Sequence, residues 1–101
     1  MKENTNVYVN ERNILENYNL LRTIVIPETK VMAVIKANGY GLGLVEVAKS
    51  CEKLGIDVLC VLDIPQAIAL RNSGINTPIL LLGSTLLSEL SLLIEYDLMQ
   101  M

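Results

Sequence analysis

At 101 residues the chain is one domain at most, and a composition 51% apolar and 19% charged excludes a disordered tail and predicts a substantial core. A formal net charge of −3 leaves no basic field for nucleic acid, and no stretch approaches the roughly 18 consecutive apolar residues of a membrane span. Met1 to Asn10 is polar where a secretory leader would be apolar, which points to the cytoplasm, and the absence of histidine removes Ser-His-Asp and Cys-His chemistry and any expectation of a metal site.

Glu11 to Ile24 reads as a helix, with Ile14, Tyr18, Leu21 and Val25 near helical spacing, Asn10 able to cap it and Pro27 ending it. Val31 to Lys36 is a compact β-branched and aliphatic run bounded by turn formers, the pattern of a strand buried on both faces. Its alternation puts Met32, Val34 and Lys36 on one side. After a glycine-rich turn, Leu44, Val47, Ala48, Cys51 and Leu54 form the stripe of a second helix, closed by Gly55. Val58 to Leu62 is a second strand. Asp63 and Gln66 then make a capping-box-like start for a helix carrying Ala67, Ile68 and Leu70, with Arg71 in its last turn and Gly74 beyond. Ile79 to Leu82 is a third strand, after which Ser84 or Thr85 can cap a helix with Leu87, Leu90 and Ile94 on one face. Leu98 to Met101 begins a fourth strand. Cys51 and Cys60 match neither a redox pair nor a zinc knuckle and are expected to be reduced and buried.

A leading helix and three strand-helix units with short connections specify an α/β fold with parallel strands and crossover helices. An open doubly wound sheet and part of an eight-stranded barrel both fit. Ending on an incomplete strand favours the N-terminal portion of a (β/α)8 TIM barrel, since a closed barrel needs about 200 residues or more. Residues 1–101 are then expected to be an incomplete barrel domain.

The chemistry concentrates in Lys36-Ala37-Asn38-Gly39-Tyr40-Gly41-Leu42-Gly43, at the carboxyl end of the first strand, where parallel α/β folds build their sites. A lysine following a buried strand sits where desolvation favours the free amine that Schiff-base chemistry requires, although position alone equally describes a surface lysine reaching water. Glycines 39, 41 and 43 allow a sharp turn and close approach of backbone to a ligand. A dinucleotide-binding turn, with Asp63 as the ribose-binding acid, would need its third glycine at Leu44, and no Gly-Lys-Ser/Thr follows to make a Walker loop.

The octapeptide resembles the Lys-Ala-Asn/Asp-Ala/Gly-Tyr-Gly-His-Gly run of the alanine racemase family, with Leu42 in place of the usual histidine. Asp63 to Arg71 followed by Gly74-Ile75, and Thr77 to Gly83, are similar to the family's second helix and third strand, and the leading helix with Asn17 and Leu20 also fits. The resemblance covers nearly all of this chain but only the front third or so of a typical family member. It implies pyridoxal 5'-phosphate as cofactor, Lys36 as its Schiff-base lysine and one of two bases, Tyr40 as a ligand of its phosphate, and Val34 and Leu82 lining its ring, positions that ordinary core filling would also explain. It further implies racemisation of a small amino acid, alanine first and serine next, by a homodimer with a C-terminal β domain absent here. The second base and the arginines would lie beyond this chain, so the chain alone is expected to be inactive. A non-enzymatic pyridoxal-phosphate barrel protein and a nucleotide-binding α/β module using Gly39 to Gly43 are the alternatives.

Overall fold

The computed structural model describes residues 11–35 and 43–101. The elements run α1 (Glu11–Ile24), β1 (Met32–Val34), α2 (Leu44–Leu54), β2 (Val58–Val61), α3 (Ile64–Asn72), β3 (Ile79–Leu81), a 3-10 turn (Leu87–Glu89), α4 (Leu90–Glu95) and β4 (Leu98–Gln100). The four strands form one sheet in the order β1-β2-β3-β4, every neighbouring pair parallel. Each strand therefore pairs with the one before it in the chain, through a helical crossover, which is the wiring of a barrel wall.

The register assigns every strand residue to a face. Ala33, Leu59, Ile79 and Leu98 form one row across the sheet, and Val34, Cys60, Leu80 and Met99 form the next, pointing the opposite way. On the first face Leu59, Val61, Ile79 and Leu81 pack under Leu44, Ala48 and Cys51 of α2 and Ile64, Ala67 and Leu70 of α3. This layer is the core, and Leu59, Val61, Ala67, Leu70 and Ile79 have no exposed surface at all. Burial also pushes the thiols of Cys51 and Cys60 above their ordinary range, and both cysteines are free, as the sequence implied.

Among the described residues, no helix covers the opposite face. Cys60 and Val58 are buried beneath neighbouring side chains, with Met32 Sδ 3.9 Å from Cys60 Sγ, but Met32 is 55% exposed and Val34 42%. The expectation that the first strand is buried on both faces is therefore corrected: its residues are apolar on both sides, but only one side has a helical cover. A second correction concerns the last helix. Thr85 donates its hydroxyl to Gln100 instead of capping, Glu89 accepts from Leu86 N–H at 2.9 Å, and a 3-10 turn starts the segment. That start rotates the expected face outward, so Leu87 and Ile94 are 85% and 84% exposed while Leu92 and Leu93 pack toward the core.

Charged side chains stitch the edge where the strands begin. Asp57, ahead of β2, accepts from Val31 N–H at 2.7 Å and from Arg22 of α1 at 2.9 Å, and Arg22 also donates to Thr29 O and Tyr18. Glu52 at the end of α2 accepts from Asn76 N–H (2.8 Å), Thr77 N–H (2.9 Å) and the Thr77 hydroxyl (2.9 Å), ahead of β3. Arg71 of α3 donates to the carbonyls of Ile75 (3.0 Å), Thr77 (2.8 Å), Tyr96 (2.9 Å) and Asp97 (2.9 Å), tying the approaches to β3 and β4 together. Its role as a last-turn cation is thus only part of what it does. Each helix-to-strand connection is held by an ion or a charge-assisted hydrogen bond.

Candidate functional site

Ligand chemistry in parallel α/β folds collects at the carboxyl ends of the strands, and in a barrel at its upper rim. There Val34 of β1 lies on the uncovered face, as does Leu82 directly after β3, whose N–H donates to Val61 O at 2.9 Å. Leu62, directly after β2, lies between these strands, is 46% exposed, and shares the alternation of Cys60. Val34, Leu62 and Leu82 thus make an apolar floor at the rim. Lys36 and Tyr40 lie outside the described residues, and so does Asn10.

The glycine run re-enters the structure at Gly43. Its φ of 95° lies in the left-handed region, where a Cβ would be strained, and its carbonyl accepts from Val47 N–H at 3.1 Å to start α2.

Two neutral amides shape the rest of the rim. Gln66 Oε1 accepts from Leu62 N–H at 3.0 Å, and Asp63 Oδ1 accepts from Gln66 N–H at 3.1 Å to cap α3. The capping box read from the sequence is present with one change, since the glutamine reaches Leu62 instead of Asp63. Asp63 is committed to this cap, which weakens its reading as a ribose-binding acid. Gln100, at the end of β4, donates from Nε2 to Gly83 O at 2.6 Å and accepts the Thr85 hydroxyl. Neither Leu62 nor the two glutamines were singled out from the sequence as site residues. For Leu62 the signal was available, because the period of two places it on the face of Cys60, as it places Leu82 on the face of Leu80.

The donor set suits a flat organic group better than an ion. Three apolar side chains offer a surface for a ring, and among the described residues no cluster of His, Cys, Asp or Glu could hold a metal ion. Two cavities, of about 310 and 360 Å³, lie at the opposite edge, where the strands begin. The first is lined by Arg12, Leu15, Ser50 and Lys53 between α1 and α2, the second by Arg71, Asn76 and Asp97. No described helix is long and apolar enough to cross a membrane.

Residues 9–101 match the family model described as alanine racemase, N-terminal domain. An amino-acid racemase of Enterococcus faecalis is 46% identical over 87 residues, which are 86% of this chain and 12% of that protein. Alanine racemase 2 of Caldanaerobacter subterraneus subsp. tengcongensis is 41% identical over 93 residues, 92% of this chain and 24% of that one. The crystal structure of alanine racemase from E. faecalis superposes with a TM-score of 0.85 at 40% identity, covering 91% of this chain and 25% of its own. The chain spans a quarter or less of the length of these relatives. Its four parallel strands are the N-terminal portion of the family's TIM barrel. With 93 of its residues in the family pattern, positions 9 to 101, and a matching strand order, this chain belongs to the alanine racemase family, in the part that forms the N-terminal domain.

Proposed function

We propose that this chain is the cofactor-bearing segment of a pyridoxal 5'-phosphate-dependent amino-acid racemase acting on alanine, in the cytoplasm, as part of a homodimer. The observation that carries the reading is the apolar floor of Val34, Leu62 and Leu82 at the strand ends, on the sheet face that no described helix covers, in a chain of this family. Lys36 follows Val34 by two positions, the spacing at which a strand repeats its face, so the sequence directs its amine toward the same floor.

When bound, pyridoxal phosphate supplies an electron sink that makes the Cα–H bond of an amino acid acidic. The chain's own residues hold and orient it. Lys36 Nζ would tether it covalently and would serve as the acid-base group that takes up or supplies the Cα proton on one face. Tyr40 would donate its hydroxyl to the phosphate. Val34 and Leu82 would lie against its ring and shield that side from water. Racemisation needs a second acid-base group on the opposite face. Tyr18 does not meet that need: it lies on α1 and accepts from Arg22 Nε at 2.9 Å. Tyr96 follows α4 at the edge where β4 begins, away from the rim. By the family resemblance the second group would come from the partner subunit, and on that reading the 101-residue chain alone is expected not to turn over alanine.

The test is to add pyridoxal phosphate, reduce with borohydride and map the modified peptide. Modification at Lys36, lost in Lys36→Ala, is the expected result. Labelling spread over the surface lysines, or unchanged labelling in Lys36→Ala, would refute the assignment. Sustained formation of D-alanine by the chain alone would refute the need for a second group.

A further inference from the structure

We propose that Gln100 is a positioning residue for the cofactor, holding the turn after β3 from behind so that Leu82 keeps its place in the floor; this rests on the reading of the rim given above. Gln100 pairs in register with Leu81, whose side chain points to the helix-covered face, so its amide approaches the turn from the side away from the floor. From there Nε2 donates to Gly83 O at 2.6 Å, and Oε1 accepts the Thr85 hydroxyl. Met101 N–H donates to Leu81 O at 3.1 Å, which keeps β4 alongside up to the turn.

The turn is held from its other flank as well. Gly83 N–H donates to Leu62 O at 2.9 Å, and a Cβ on Gly83 would stand 2.5 Å from that same oxygen. Gly83 thus lies pressed between β2 and the amide of Gln100, and Leu82 is the residue directly before it. One group must donate to a carbonyl and accept from a hydroxyl here, which a primary amide does and neither a carboxylate nor a thioether can. Gln100 and its two bonds are exposed, so they exchange readily with water and add little to global stability. What they fix is where the turn stands. The stitches at the opposite edge are charged, whereas the two at the carboxyl ends of the strands, to Leu62 N–H and Gly83 O, come from neutral amides, Gln66 and Gln100.

The experiment measures the dissociation constant of pyridoxal phosphate for the purified protein and for Gln100→Met, Gln100→Glu and Thr85→Val, with far-UV circular dichroism and the urea midpoint as fold controls. Gln100→Met is expected to weaken cofactor binding about threefold to tenfold, the equivalent of one net hydrogen bond, with the fold controls unchanged. Gln100→Glu, which keeps the acceptor and loses the donor, should weaken it by a similar factor. Thr85→Val should weaken it less and add nothing in the Gln100→Met background. If Gln100→Met does not fold, Thr85→Val carries the test. Wild-type affinity in correctly folded Gln100→Met, or in Thr85→Val when that variant carries the test, would overturn the role of Gln100 and leave the cofactor site standing. A wild-type protein that takes up no pyridoxal phosphate overturns the parent reading, and this one with it, before any substitution is made.

Discussion

Replacing Arg71 with methionine tests whether the strand-entry edge carries the stability assigned to it. The guanidinium holds four carbonyls, but not all are equally exposed to replacement by water. The bond to Asp97 is exposed, where water can take over, and Tyr96 beside it is half-buried. Ile75 and Thr77 are buried, 1% and 9% exposed, so their carbonyls lose a donor that water reaches poorly. Two such bonds at about 1–1.5 kcal/mol each give an expected loss of about 2–3 kcal/mol. With a urea slope of roughly 1.5 kcal/mol per molar, the unfolding midpoint followed by far-UV circular dichroism should fall by about 1–2 M. Arg71→Lys should recover less than half of this, because a single ammonium cannot span the approaches to both strands. A loss below about 0.5 kcal/mol in Arg71→Met would refute the reasoning, since it would mean that solvent satisfies all four carbonyls.

Leu59→Ala, at a site with no exposed surface beneath α2 and α3, should cost about 2–5 kcal/mol in the same assay, far more than Ile94→Ala on the bare side of α4. Acid should also destabilise the fold. The Asn76 backbone N–H, with the Thr77 N–H and hydroxyl, holds the Glu52 carboxyl below its ordinary range, against the opposing effect of burial. Because the folded value is the lower one, this stabilisation is complete above the ordinary carboxylate range and is lost as pH falls through the depressed folded value. Urea midpoints should therefore decline below about pH 4–5, and Glu52→Gln should be less stable at neutral pH and show a shallower acid decline. An acid profile unchanged by Glu52→Gln would remove that carboxylate from the account. Asp57, lowered chiefly by the Val31 N–H, acts in the same direction.

Local periodicity made most of the fold legible. The span of α1, the stripe of α2 with its closure at Gly55, and the parallel order all follow from residues within a turn or two of one another. What local pattern cannot report is whether a partner surface exists. Met32 and Val34 are as apolar as Leu59 and Val61, and only the position of the helices decides which pair is dry. The start of α4 was misread for a related reason, because the Thr85 hydroxyl is taken by Gln100, 15 residues away. The clamps of Glu52 and Arg71 likewise reach partners up to 25 and 26 residues distant, and no spacing rule announces them. At the rim, the face of Val34 came from the period of two and Leu82 from the family resemblance, while Gln100 needed the strand register to be found.

The sequential order of the strands bears on how the chain reaches this state. Among the described strands, each pairing joins neighbours in the chain: β2 pairs β1 across α2, β3 pairs β2 across α3, and β4 pairs β3 across α4. Loop-closure entropy is thus met in steps of one crossover at a time, which keeps contact order low for a parallel sheet. Growth from the amino terminus suits synthesis on the ribosome, where each new strand finds its template already laid down.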